Sequence, residues 1–170
     1  PPSAQTEDGE ATAVQAGAAV RMNRSCFLIV ALGVLLGGCT TIQAEPTYQH
    51  GTVTLPSGTT IPVEISDTPA KRTLGLGKRG GLRAGWGMLF VFEKTGSHPF
   101  WMKDMHFAID ILWLRNRRIV HISHNVLPPV SGKKPETLAP PVSANLVLEL
   151  AAGQAEALGL ETGQSLRYQF

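Results

Sequence analysis

The chain has 170 residues, with 15 Lys and Arg against 13 Asp and Glu and a net charge of +2. So slight an excess excludes the electrostatic footprint of a nucleic-acid partner. The two cysteines, Cys26 and Cys39, both fall early, which excludes redox or cysteine-nucleophile chemistry from everything after them. Residues 1–21 are rich in Ala, Gly and small polar side chains. They read as disordered, or as an upstream segment included ahead of a true start at Met22.

Residues 22–38 have the pattern of a signal peptide. Arg24 supplies the positive flank, and Phe27 to Leu36 supply an apolar core of about ten residues, too short to cross a bilayer as a helix. The ending Leu36-Gly37-Gly38-Cys39 resembles the lipobox of bacterial lipoproteins, which implies lipid on Cys39 and a mature chain starting there. Ordinary secretory cleavage after Ala44 is the alternative. Thr40, and not Asp, follows the cysteine. In a Gram-negative envelope the usual sorting pattern then implies the periplasmic face of the outer membrane. Residues 39–50 read as a tether that lifts the domain off the membrane.

Residues 51–170 are expected to form a single domain. With Cys26 removed and Cys39 lipidated it keeps no thiol, so its core alone must hold it. Thr52 to Leu55 and Thr60 to Ile65, separated by Pro56-Ser57-Gly58, predict a hairpin. Asp67-Thr68-Pro69 predicts a helix start, and a short helix from Pro69 to Leu76 is stopped by the glycines that follow. Lys71, Arg72, Lys78, Arg79 and Arg83 read as a solvated helix face and loop, or else as a surface for anionic lipid headgroups. Gly87 to Glu93, Pro99 to Met105, Ala108 to Arg115 and Arg118 to Val126 predict four neighbouring strands in an antiparallel meander. Leu127 to Val142, with five prolines, predicts an exposed loop. Ala144 to Leu150 predicts a strand, Gly153 to Leu160 one or two helical turns, and Ser165 to Phe170 a last strand. The fold class is therefore mostly β (α+β): a small curled antiparallel sheet or barrel of about eight short strands with one or two short helices.

From Val53 to Tyr168 the chain resembles the family known as domain of unknown function 192. The match is carried by Gly75-Leu76, Gly87-Met88-Leu89-Phe90-Val91-Phe92, Phe100-Trp101-Met102-Lys103, Ile109-Asp110-Ile111, Ala139-Pro140, and Val147-Leu148-Glu149-Leu150 with Ala152-Gly153. Two departures stand out: Asp104-Met105 replaces the family's Asn-Thr, and Phe107-Ala108-Ile109 precedes the aspartate. The resemblance implies a compact β-rich fold and no assigned activity.

Asp110 lies in a run apolar on both faces, so its carboxylate must be paired, hydrogen-bonded or protonated. It is either a structural acceptor that pins a turn or bulge or an acid–base group at the base of a pocket. Alternation through Pro99 to Met105 places Trp101, Lys103 and Met105 on one face, with Phe100, Met102 and Asp104 on the other. Trp101 and Lys103 then either line a ligand cleft or form a lysine stem packed over a ring. Glu149 is expected on a face with Val147 and Ala151, either solvated or partnering Lys103 or an arginine at a pocket rim. His121 and His124, three apart on a strand, point to opposite faces unless a bulge intervenes, and His98 and His106 only bracket the Trp101 strand. No metal site and no cofactor is expected. A Gly-x-Ser-x-Gly elbow and a phosphate-binding glycine loop are both absent.

The reading favoured is a non-catalytic envelope lipoprotein. It would be joined to the membrane by lipid on Cys39 and bind a small ligand, a cell-wall component or another envelope protein near Trp101, Lys103, Asp110 and Glu149. The alternative is a hydrolase with Asp110 as acid or base and Lys103 as electrostatic stabiliser.

Overall fold

The computed structural model of the chain describes residues 46–170. The upstream segment, the signal peptide, Cys39 and most of the tether lie outside the described residues. The expected hairpin forms between β1 (Gln49–Thr54) and β2 (Thr60–Ser66), and Gly58 supplies the positive φ its turn requires. The first strand begins inside the span expected as tether, so Gln49 and His50 belong to the sheet.

After β2 the chain forms α1 (Pro69–Leu74). Thr68 caps it by accepting the Lys71 N–H on its hydroxyl at 3.3 Å, and Gly75, at φ 52°, ends it two residues earlier than expected. This helix is the crossover to β3 (Gly87–Gly96), which pairs in parallel with β2. Only a crossover of this length can return the chain to run beside its own earlier strand in the same direction. The sheet is therefore mixed, with one parallel pair among antiparallel neighbours.

The remaining elements are β4 (Phe100–Trp101), β5 (Ile109–Arg115), β6 (Arg118–Val126), β7 (Thr137–Leu138), β8 (Ala144–Ala151), α2 (Gln154–Ala157) and β9 (Arg167–Gln169). A seven-stranded sheet runs in the order β6-β5-β8-β3-β2-β1-β9, and β4 and β7 form a separate two-stranded ribbon. The expected meander is corrected here: β8 sits between β3 and β5, and the Pro99 to Met105 run leaves the main sheet. The reason is apolarity on both faces. Residues 146–150 of β8 and 109–114 of β5 are all buried, so these two strands take interior places in the sheet.

Alternate residues feed two cores. Leu112, Leu114, Leu146, Leu148 and Leu150 meet Ile65, Leu89, Ala155, Leu160 and Leu166 on one face. Ile109, Ile111, Trp113 and Val147 meet Met88, Phe90, Leu76, Phe100, Met102 and Met105 on the other. Trp113 fits into the second core because its indole N–H finds an acceptor, the His98 carbonyl at 3.1 Å. The sheet curls into a half-barrel. Its two ends approach where the Ile119 N–H donates to the Gln164 carbonyl and the Leu166 N–H to the Arg117 carbonyl, beside the Arg118–Ser165 bridge.

Candidate functional site

The segment from Phe100 to Met105 is strand for only two residues. Phe100 and Trp101 pair with Leu138 and Thr137, Met102 donates to the Glu136 carbonyl, and the chain then turns, with the Met105 N–H returning to the Met102 carbonyl. Asp104 sits at φ 58°, a conformation that Asn and Asp tolerate better than other side chains. The family's Asn is thus replaced here by the other residue suited to that backbone. The turn corrects the expected alternation. Phe100, Met102 and Met105 are buried, while Trp101, Lys103 and Asp104 face out.

Trp101 is 50% exposed, and the Lys103 ammonium lies over its ring at 5.2 Å. Facing this pair is the end of α1. The Lys78 N–H donates to the Asp104 carbonyl at 2.7 Å, and a Cβ on Gly77 would lie 2.9 Å from the Leu74 carbonyl oxygen and 3.3 Å from that of Lys103. Glycine at this position lets the two segments meet backbone to backbone. Glycines that read in sequence only as a helix stop therefore also build one wall of the site.

Between α1 and the Trp101 turn runs a groove. Trp101, Pro69 and Thr73 line both of its halves, of about 330 Å³ toward Phe92 and Phe100 and about 490 Å³ toward Lys78, Lys103 and Asp104. Beneath them is a throat of about 20 Å³, walled by Arg72, Gly75, Leu76, Gly77, Phe90 and Met105 among others, and reached by Trp101, Lys103 and Glu149. That volume holds about one water-sized group.

Glu149 is the least expected member. It is 6% exposed, and its Oε2 has no hydrogen-bond partner among the described residues. Desolvation by burial pushes its carboxyl up to about 8, against a smaller opposing pull from Arg79. A lone ionised carboxylate in such surroundings costs several kcal/mol, roughly, and protonation is the cheaper state. The solvated face expected for Val147, Glu149 and Ala151 is corrected for its first two residues: Leu76, Phe100, Met102 and Met105 cover that side of β8.

Asp110 lies on the opposite face. It registers with Leu150, whereas Glu149 registers with Ile111, and successive residues of a strand point to opposite sides. Its carboxylate accepts the Asn125 N–H at 2.8 Å and the Ala155 N–H at 2.9 Å, pinning the β6 bulge and the first turn of α2. It lines neither the groove nor the throat. The structure therefore brings Trp101, Lys103 and Glu149 together and leaves Asp110 out. The pairing of Asp110 with Lys103 as acid–base group and stabiliser is corrected, because the sheet separates them.

The basic cluster is largely engaged with its own surroundings. Lys71 pairs with Asp67 at 2.8 Å, and Arg79 pairs with Glu64 at 2.6 Å. Arg72 donates to the carbonyls of Asp67 and Val91, and Arg83 lies over the Trp86 ring at 4.5 Å. The register runs regularly from His121 to Ser123 and shifts only between Ser123 and Val126; His121 packs against Trp113 and His124 is exposed. His98 stacks on Phe92 at 3.7 Å. Among the described residues no group of three or more His, Cys, Asp or Glu is placed to hold a metal ion.

The sequence profile of DUF192, described as Uncharacterized ACR, matches residues 52–168. The chain belongs to this family. Two solved structures are similar at 28% sequence identity. One is a candidate transcription regulator from Sinorhizobium meliloti 1021, with a TM-score of 0.64 over 74% of this chain and 98% of that one. The other is a protein of unknown function from Novosphingobium aromaticivorans DSM 12444, with a TM-score of 0.60 over 71% and 84%. No curated protein matches the chain at a significant level.

Proposed function

We propose that the protein is a non-catalytic binding module of the cell envelope, taking a small ligand or cell-wall component in the groove along α1. One observation carries this reading: the half-exposed Trp101 stands between two open halves of a groove whose floor narrows to the buried Glu149. Apolar walls with a few convergent polar groups are the usual build of a small-ligand site. Lys103 and Lys78 add positive charge at the mouth. A hydrolytic mechanism through Asp110 loses its support, since that carboxylate is used up by two backbone donors on the far face.

The envelope location is supported by the apolar run ending in Leu36-Gly37-Gly38-Cys39, which would place lipid on Cys39 and the domain on a membrane. Cys39→Ser is expected to abolish incorporation of labelled palmitate and move the protein out of the membrane fraction. Unchanged labelling would refute the lipid anchor. The groove is tested by NMR, following the Trp101 indole while cell-wall fragments and free small metabolites are added. Saturable shifts at Trp101, Thr73 and Lys103, lost in Trp101→Ala with the fold intact, are the expected result. Turnover of any fragment would replace binding with catalysis, and no shift from any compound would sink the reading.

A further inference from the structure

The inference below deepens that reading and rests on it. The Glu149 side chain lines the throat under Trp101, and its Oε2 is buried without a hydrogen-bond partner among the described residues. Leu76, Phe90, Phe100 and Met105 beside it offer nothing polar from their side chains, and of the donors in the same lining, Arg72, Thr73, Trp101 and Lys103, none is hydrogen-bonded to its Oε2. Buried polar groups are as a rule satisfied, so a buried carboxyl aimed into an open passage needs a donor from outside. The passage, about 20 Å³, admits a single heavy atom with its hydrogens and excludes a carboxylate or phosphate. A primary ammonium meets both conditions.

The mouth has the opposite preference. Lys103 and Lys78 line the wider half of the groove, where Asp104 is the one acidic side chain, and Arg72 lines the narrower half. A plain cation approaching Glu149 is opposed by this rim, whereas a molecule that leaves an anionic group there is favoured. The Lys103 ammonium, held over the Trp101 ring, is placed at the entrance to receive that group. We infer that the throat receives the primary ammonium of a small zwitterion, with Glu149 as its counter-charge, while Lys103 and Lys78 hold the ligand's anionic group at the mouth. Carboxylate and phosphate zwitterions share this chemistry.

Charge on Glu149 sets the pH dependence. Its surroundings contain Arg72 and Lys103 in the throat lining. On the sheet row Glu64-Met88-Glu149 lies Glu64, already paired with Arg79. Because the carboxyl is held neutral below about 8, taking up an ammonium must release its proton. Affinity then rises with pH, by about tenfold per unit, until the carboxyl is ionised on its own. An anion receiving a hydrogen bond from the neutral acid would show the reverse trend.

The test uses the full chain in nonionic detergent, with the Glu149 carboxyl carbon and the Trp101 indole followed by NMR. The probes are glycine, β-alanine, 4-aminobutyrate, O-phosphoethanolamine, ethylammonium and acetate. The expected result has four parts. One of the zwitterions binds more tightly than ethylammonium, and acetate does not bind. Affinity rises about tenfold from pH 6 to pH 7. Binding moves the Glu149 carbon to its ionised position. Glu149→Gln weakens the zwitterion at least about tenfold, and Lys103→Met weakens it without weakening ethylammonium. The phosphate and carboxylate members tell a headgroup-like ligand from an amino-acid-like one. Zwitterions that shift Trp101 equally in wild type and Glu149→Gln would overturn the inference while leaving the groove as a binding site. Acetate binding that weakens as pH rises would overturn it in favour of a neutral Glu149 donor. No saturable shift from any probe at pH 8 would overturn it outright, and the groove would then stand or fall on the wider fragment screen.

Discussion

Two carboxylates one strand apart in the register meet opposite fates because they face opposite sides of the same sheet. Asp110 is satisfied: two backbone N–H groups converge on its oxygens within the core that α2 covers. Asp110→Asn replaces an acceptor with a donor that must face one of those N–H groups. The substitution is expected to destabilise by about 2–4 kcal/mol in denaturant unfolding, while leaving the Trp101 groove able to bind. A loss below about 0.5 kcal/mol would show that the bulge does not depend on this carboxylate. Glu149 is unsatisfied, and its effect on stability has a definite sign. Its folded carboxyl lies at about 8 against an ordinary 4.5, so between those values the unfolded chain loses a proton that the native state keeps. Stability attributable to Glu149 is therefore full below pH 4.5, falls as pH rises through the window, and is lost above about 8, a change of up to about 5 kcal/mol. Unfolding of wild type and Glu149→Gln at pH 5.5 and pH 9 measures this. The variant should lose much less stability between the two, and parallel losses would place the pH dependence elsewhere.

At the scale of elements, much of the chain was legible in sequence, and each failure has a local cause. The β1–β2 hairpin, the Thr68-capped start of α1 and the last strand were visible because turn residues and β-branched runs are short-range signals. The Phe100 to Met105 segment misled. Its apolar spacing continues past Trp101, but a turn at Lys103-Asp104 brings Met105 back into the core, and only the aspartate at the αL position hints at it. Glu149 misled for a different reason. Strict alternation along β8 is a correct account of which way its side chains point, yet it cannot say whether the second face is wet or covered. The covering layer comes from residues 76–105, well before β8 in the chain. Trp101, Lys103 and Glu149 could be named from sequence as candidates. The role of α1 as the facing wall could not, since the helix has no fully buried residue of its own and meets the turn through Gly77 and Lys78.

Across the whole molecule, the order of strands in space departs widely from their order in the chain. Strand β8, from residue 144 onward, is inserted between β3 and β5, and the first strand lies between β2 and β9, with Thr52 opposite Gln169. Contacts of such long sequence separation must wait for loop closure, which slows formation of the native sheet. For a chain emerging in order from its amino end, β3 and β5 have no common neighbour until residues 144–151 arrive, and β1 keeps an open edge until the final residues do. Half a chain is thus not half a folded domain. Such a polypeptide stays pliable until nearly all of it has been made, which is the condition that passage through a membrane channel would impose on the exported chain proposed above.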